Sequence, residues 1–321
     1  MQRVNQIKRC ALIVHLLAVS VTGTLWAQET AKEAGARGGE WHTDFDTAKQ
    51  LAKKEGKDLL IEFTRSEGCG WCLKLEKEVL SQTAFKEEMT KNYVLVMLDY
   101  PRDSSQLSPE VKEQQKELQK YYHIRRFPSF VFADASGRPY ARESYRDRKA
   151  EEYLKEITEL HKQRERRDAA FAQAENAEGK EKARLLEKGL SEVSRRYHLY
   201  YPKRIAEIAK ADPEDTSGYV AKVRVDEVRV DLGRVLRTHY EERKYEAIPL
   251  AVDGYISEHK PKGNALQVAL LYKVQAFYLT KQHEEAKALA DEVVALNNVS
   301  RAASYASSIK KRIERMSEEG K

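Results

Sequence analysis

The pattern of apolar and polar positions changes character once along this chain. From Thr43 to Tyr145 short apolar runs alternate with amphipathic stretches, whereas beyond about residue 165 apolar residues recur only at helical spacing. Thr43–Glu55 sets Phe45, Ala48, Leu51 and Ala52 on one helical stripe, which Gly56 ends. Asp58–Thr64 (Asp-Leu-Leu-Ile-Glu-Phe-Thr) and Tyr93–Asp99 (Tyr-Val-Leu-Val-Met-Leu-Asp) predict two buried strands, the first broken only by the acid Glu62. Leu73–Leu80 and Phe85–Lys91 are helical by spacing, as is the polar stretch Pro109–Tyr122. Ser129–Ala133 and Tyr140–Tyr145 flank Asp134-Ala135-Ser136-Gly137, which reads as a hairpin turn. Lys149 to about Arg166 closes this region as a charged helix with Tyr153, Leu154, Ile157 and Leu160 along one side.

In the second region Ala183, Leu186, Leu190 and Val193 form one helical stripe, followed by a break at Tyr200-Tyr201-Pro202. Val225, Val228, Leu232, Val235 and Leu236 form another. The pairs Val223/Val225 and Val228/Val230 would also suit a strand, but continuation to Leu236 favours helix. Ala269–Leu296 reads as a helix pair in which Phe277, Ala286 and Ala290 fall near the spacing of a tetratricopeptide repeat, with an echo over Tyr240–Tyr255. There is no Trp-Leu-Gly opening and no proline after Asn298, so a generic α-bundle stands as the alternative. No catalytic constellation appears here: His239, His259 and His283 are spread over separate turns and helices, which suits an interaction role.

The first 27 residues have the grammar of an export signal. Arg3, Lys8 and Arg9 make a basic start, Cys10–Val21 is mostly apolar, and Thr22–Ala27 is shorter and more polar, with cleavage expected after Ala27. An uncleaved anchor is the weaker alternative, because His15, Ser20 and Thr22-Gly23-Thr24 interrupt a span that needs about 20 apolar residues. The organisation is then a signal peptide (1–27), a linker (28–40), an α/β domain (41–165) and an all-helical, tetratricopeptide-like domain (166–321). The expected location is periplasmic or secreted, with no membrane span after cleavage. Lys and Arg number 57 against 51 Asp and Glu, and the net charge of +6 falls to +3 once the three basic signal residues leave. The densest basic run, Lys162-Gln163-Arg164-Glu165-Arg166-Arg167, is interrupted by acid and reads as a solvated helix face. Nucleic acid is therefore not an expected partner.

Removal of Cys10 with the signal leaves two cysteines, in Cys69-Gly70-Trp71-Cys72, between a buried strand and a helix. A secreted chain that staples itself spreads its thiols apart. Zinc would need four ligands, and neither a second Cys-x-x-Cys nor a paired histidine follows; His42, His123 and His161 stand alone. A non-catalytic disulfide closing so short a loop would stabilise little. The order of elements, with Leu59–Phe63 ahead of the cysteines, Phe127-Pro128-Ser129 leading into a strand about 55 residues on, and the Asp134–Gly137 turn, resembles the thioredoxin superfamily over about 120 residues. The stretches Phe63–Cys72 and Leu98–Arg102 look like a branch of exported bacterial thioredoxin-like proteins with one residue inserted before the motif.

Cys69, at the start of a helix whose unpaired N–H groups and dipole favour a thiolate, is the expected attacking sulfur, and Cys72, one turn in, the buried resolving thiol. The resemblance implies that Glu62 accepts the proton of the inner cysteine through water; the alternative is an acid paired with Lys57 or Lys74. It also implies a cis peptide at Pro128, letting Phe127 offer its backbone to an extended substrate. Trp71 replaces part of the usual Gly-Pro and supplies an aromatic contact for substrates. The expected activity is thiol–disulfide exchange on exported protein disulfides or thiols, with no cofactor and with a second redox protein to recycle the cysteines. The alternative is a binding scaffold in which the thiols are vestigial. The dipeptide does not fix whether the chain reduces, oxidises or isomerises.

Overall fold

A computed structural model describes residues 41–319; the expected signal peptide and linker lie outside the described residues. The chain divides into two compact units, the first ending at Glu156 and the second beginning at Ile157, with Pro139–Ala141 grouped with the second.

The first unit is built on a five-stranded sheet of order β1-β3-β2-β4-β5, comprising β1 (Trp41–His42), β2 (Asp58–Thr64), β3 (Tyr93–Asp99), β4 (Ser129–Ala133) and β5 (Pro139–Ser144). β2 is central, parallel to β3 and antiparallel to β4. Helix α1 (Phe45–Glu55) starts where the Asp44 side chain accepts from the Thr47 N–H at 2.6 Å and stops at Gly56, whose φ of 65° is the left-handed geometry that a helix end favours. Its Phe45, Ala48 and Ala52 pack with Leu59, Ile61, Phe63, Val94, Val96 and Val131 on one sheet face, together with Leu118 and Tyr122 at the end of α4 (Pro109–Tyr121). The alternate positions Leu60 and Glu62, paired across the sheet with Leu95, Met97, Phe130 and Phe132, fall on the other face.

Crossover handedness decides what covers that second face. The β1-to-β2 and β2-to-β3 connections run laterally in opposite senses, so right-handed crossovers place their helices on opposite faces. With α1 on the first face, α2 (Gly70–Leu75) and α3 (Thr83–Asn92) belong to the second, where Glu62 lies. The helix expected over Leu73–Leu80 is not uniform. It widens into a π turn at Glu76–Leu80, closed by the Ser81 N–H on the Glu76 carbonyl at 2.9 Å, and both Val79 and Leu80 are buried while Leu73 is exposed.

Helix α5 (Ala150–Glu175) runs on past residue 165 because no glycine or proline interrupts it before Gly179. The remainder is helical: α6 (Gly179–Ser191), α7 (Pro202–Ala211), α8 (Tyr219–Val235), α9 (Arg237–Glu241), α10 (Ile248–His259), α11 (Gly263–Leu279), α12 (His283–Leu296) and α13 (Arg301–Glu319). Val223 and Val228 are both buried along α8, so the strand alternative there is excluded. Its core gathers Leu232, Leu236, Ile248, Val252, Ala269 and Val293, with α11 packed on α8, α10 and α12. Two of its turns share one geometry. Arg243 and Lys281 take φ of 56° and 61°, and the next N–H in each reaches back five residues, Lys244 to His239 and Gln282 to Phe277, both at 2.8 Å. The basic run corrects the sequence reading. Arg164 pairs with Asp168 at 3.1 Å and Arg166 with Glu192 at 3.0 Å. Arg167 is only 4% exposed and donates to the Tyr201 hydroxyl at 2.9 Å, so it leaves the solvated face on which Lys162, Glu165 and Arg166 stay exposed.

Candidate active site

Three chain segments end at the same edge of the first unit's sheet. β2 finishes at Thr64, in register with Asp99 at the end of β3, and Phe63 stands opposite Ser129 at the start of β4. The stretch leading to the cysteines and the Phe127-Pro128 stretch therefore meet at one end of the central strand. The Phe127–Pro128 peptide is cis.

The residues between Thr64 and Cys69 are tied to the loop after β3. Thr64 accepts from the Tyr100 N–H at 3.0 Å, Ser66 donates its N–H to Asp99 at 2.7 Å, and the Arg65 Nε donates to the Tyr100 carbonyl at 3.1 Å. Gly68 has φ +70°, the left-handed geometry that favours glycine; the Arg102 guanidinium that a Cβ would meet at 2.7 Å is the movable end of an exposed side chain. Gln115 donates to the Asp99 carbonyl at 2.6 Å and accepts the Tyr100 hydroxyl at its own backbone oxygen at 2.8 Å. Burial pushes the Tyr100 phenol well above its ordinary range.

Cys69 is the N-cap of α2, its sulfur accepting from the Cys72 N–H at 3.2 Å. The two sulfurs form a disulfide with Cα atoms 5.3 Å apart. Cys69 is partly exposed, whereas Cys72 is 2% exposed. Cys69 is thus the more exposed of the pair and stands at the helix start, with Cys72 inside the first turn. Glu62 is fully buried, two residues before the end of β2 and on the face assigned to α2. The lysines weighed as its partners bond elsewhere, Lys57 to Glu55 and Lys74 to Asp147, at 2.7 and 2.8 Å.

Two aromatic groups stand at this end of the sheet. On the face that α1 covers, the Tyr100 and Phe127 rings lie 5.1 Å apart, Phe63 stacks on Tyr100 at 6.1 Å, and the Arg65 guanidinium stands 4.9 Å from the Phe127 centroid. On the other the exposed Trp71 leans on Tyr145 at 5.3 Å, with Lys74 bonded to Asp147 beside them. That hydrogen bond raises the Lys74 pKa and lowers that of Asp147. The structure thus places Cys69, Trp71 and Cys72 on one helix start, and Phe127 and Pro128 at the same sheet edge. Roles here for Arg65, Tyr100, Gln115, Tyr145 and Asp147 were not anticipated, and Lys74 was weighed only as a partner of Glu62; Tyr100, Gln115 and the Tyr145–Asp147 stretch come from distant chain that no local pattern marks. No group of three histidine, cysteine, aspartate or glutamate side chains able to hold a metal occurs among the described residues.

Residues 45–160 match the family model of a thioredoxin-like domain. A disulfide bond reductase, DsbH, of Chlamydia pneumoniae is 30% identical over 103 residues, which is 32% of this chain and 61% of that protein. The thioredoxin-related protein DsbJ of the same organism is 27% identical over 129 residues, 40% of this chain and 37% of DsbJ. The chain thus spans less than two thirds of the length of either relative. Among solved structures, a DsbH oxidoreductase aligns with TM-score 0.36 at 24% identity, covering 39% of this chain and 87% of that one. The C-terminal domain of Neisseria meningitidis DsbD aligns with TM-score 0.28 at 15% identity, covering 37% and 97%.

Proposed function

We propose that this chain, whose residues 45–160 match the thioredoxin-like domain model, is an exported thiol–disulfide oxidoreductase acting on protein disulfides through Cys69 and Cys72. The observation that carries the reading is a disulfide with one sulfur at a helix N-cap and partly exposed, the other buried one turn further in. The relatives' names, a disulfide bond reductase and a thioredoxin-related protein, support the same class.

In the reducing direction the Cys69 thiolate attacks one sulfur of a substrate disulfide. A Cys69–substrate bond forms, the substrate S–S bond breaks, and the other substrate sulfur leaves as thiolate. Cys72 then loses its proton and attacks the Cys69 sulfur. The pair closes to a disulfide, the second substrate thiolate is released, and two electrons have passed to the substrate. Glu62, buried under α2, accepts the Cys72 proton through water. Phe127 and Pro128 offer an extended edge for the substrate backbone and Trp71 an aromatic contact. A dithiol protein partner returns the cysteines to the reduced state. The helical unit supplies choice of partner, since it brings no thiol.

Limiting iodoacetamide should label Cys69 ahead of Cys72 in the reduced protein across neutral pH. Cys72→Ser should accumulate mixed disulfides with exported proteins. Cys69→Ser should accumulate none and lose about a thousandfold of insulin-reducing activity driven by dithiothreitol. Preferential labelling of Cys72, or full activity without Cys69, would sink the assignment.

A further inference from the structure

Tyr145 takes no part in the exchange chemistry, yet it is bonded to both sides of the site. Its ring lies 5.3 Å from that of Trp71 at 32°. Its backbone N–H points to the Pro128 carbonyl at 3.4 Å, which ties the end of β5 to the residue ahead of β4. Its hydroxyl donates to Asp147 Oδ1 at 3.4 Å, and the same oxygen accepts from Lys74 Nζ at 2.8 Å. Lys74 in turn stands 6.0 Å from the Trp71 centroid. This clamp holds two rings side by side while leaving Trp71 57% exposed, an unusual state for so large an apolar surface.

We propose that Tyr145 is a specificity-determining residue: with Trp71 it forms an aromatic platform that receives an aromatic side chain next to the cysteine of an extended polypeptide substrate. The inference rests on the thiol–disulfide reading above. An extended peptide is the occupant because Tyr145 bonds the Pro128 carbonyl, so the platform begins where the proposed docking edge ends. An aromatic side chain is favoured because two inclined rings already in contact present faces and edges to a third.

The test uses the reduced full chain and two disulfide-linked peptides, one with Phe and one with Ser beside the cysteine, and reads the ratio of their kcat/KM values. A ratio is insensitive to partial loss of folded protein. The wild type should prefer the Phe peptide about five- to tenfold, through KM. Tyr145→Ala should bring the ratio near one, and Tyr145→Phe, which keeps the ring and loses only the hydroxyl, should retain most of it. A wild-type ratio near one overturns the proposal, as does a preference that survives Tyr145→Ala. A wild type that reduces neither peptide instead overturns the oxidoreductase reading on which it rests.

Discussion

Both units bury polar side chains, and they use them differently. In the helical unit each one ties a helix or a turn. Gln267 donates to the Val293 and Asn297 carbonyls at 2.6 and 2.8 Å, closing the C-terminal end of α12. Asp212 accepts from the Thr216 N–H at 2.7 Å, and Arg167 reaches Tyr201. In the sheet unit Gln115, Thr64 and Glu62 cluster toward the strand ends from which the cysteine helix departs. Burial of a polar group is thus no mark of function by itself, because satisfying backbone donors and acceptors is reason enough. What separates the two regions is that only one also carries the cysteine pair, which follows the strand end where Thr64 lies, while its buried Asp58 sits at the opposite end of β2.

The contrast breaks first at Glu62. If Glu62 serves chemistry, Glu62→Gln should slow resolution of the mixed disulfide about ten- to a hundredfold near pH 7, read by quenched-flow alkylation. The Tm should stay level or rise, because an ionisable group leaves a site with no exposed surface. An unchanged rate with a large loss of stability would make Glu62 structural, like Gln267.

A core deletion in the other region sharpens the comparison from the opposite side. Leu232 is fully buried in the helical core, and Leu232→Ala should cost about 2–5 kcal/mol there. In calorimetry the transition of the helical unit should drop while insulin reduction persists below it. Loss of both together would show that the division into two units does not extend to stability.

The smallest effect expected is a pH dependence confined to the helical unit. His198 holds the Val193 carbonyl and the Tyr219 hydroxyl, each at 3.0 Å, and burial, helped by the Arg195 charge, keeps its pKa below the ordinary histidine value. Below about pH 6.5 the unfolded chain takes up a proton that the fold resists. The stabilisation is therefore complete above that pH and is lost as pH falls through it. His198→Gln should flatten the decline in the helical transition between pH 7 and pH 5; an identical slope would remove His198 as its source.

The elements were legible because their signals are local. Period-two and period-3.6 patterns, the Gly56 stop and the Asp134–Gly137 turn each depend on a few neighbouring residues, and β2, α1 and the hairpin lie where those patterns put them. The cysteine pair was legible for the same reason: its place between a strand and a helix is written within about fifteen residues. Departures arose where distant chain intervenes. Arg167 reads as a surface charge until Tyr201, 34 residues on, gives it a buried partner. The flanks of the site are of this kind too: Lys74 meets Asp147 across 73 residues, and Arg65 meets Tyr100 across 35. Strand register and helix packing set such meetings, and no residue carries a local trace of which partner they will deliver. The sequence alone thus determined the central strands, most helices and the place of the two sulfurs, though not β1 or the π turn at Glu76–Leu80; the tertiary structure decided what surrounds those sulfurs, because register acts between segments that local periodicity cannot connect.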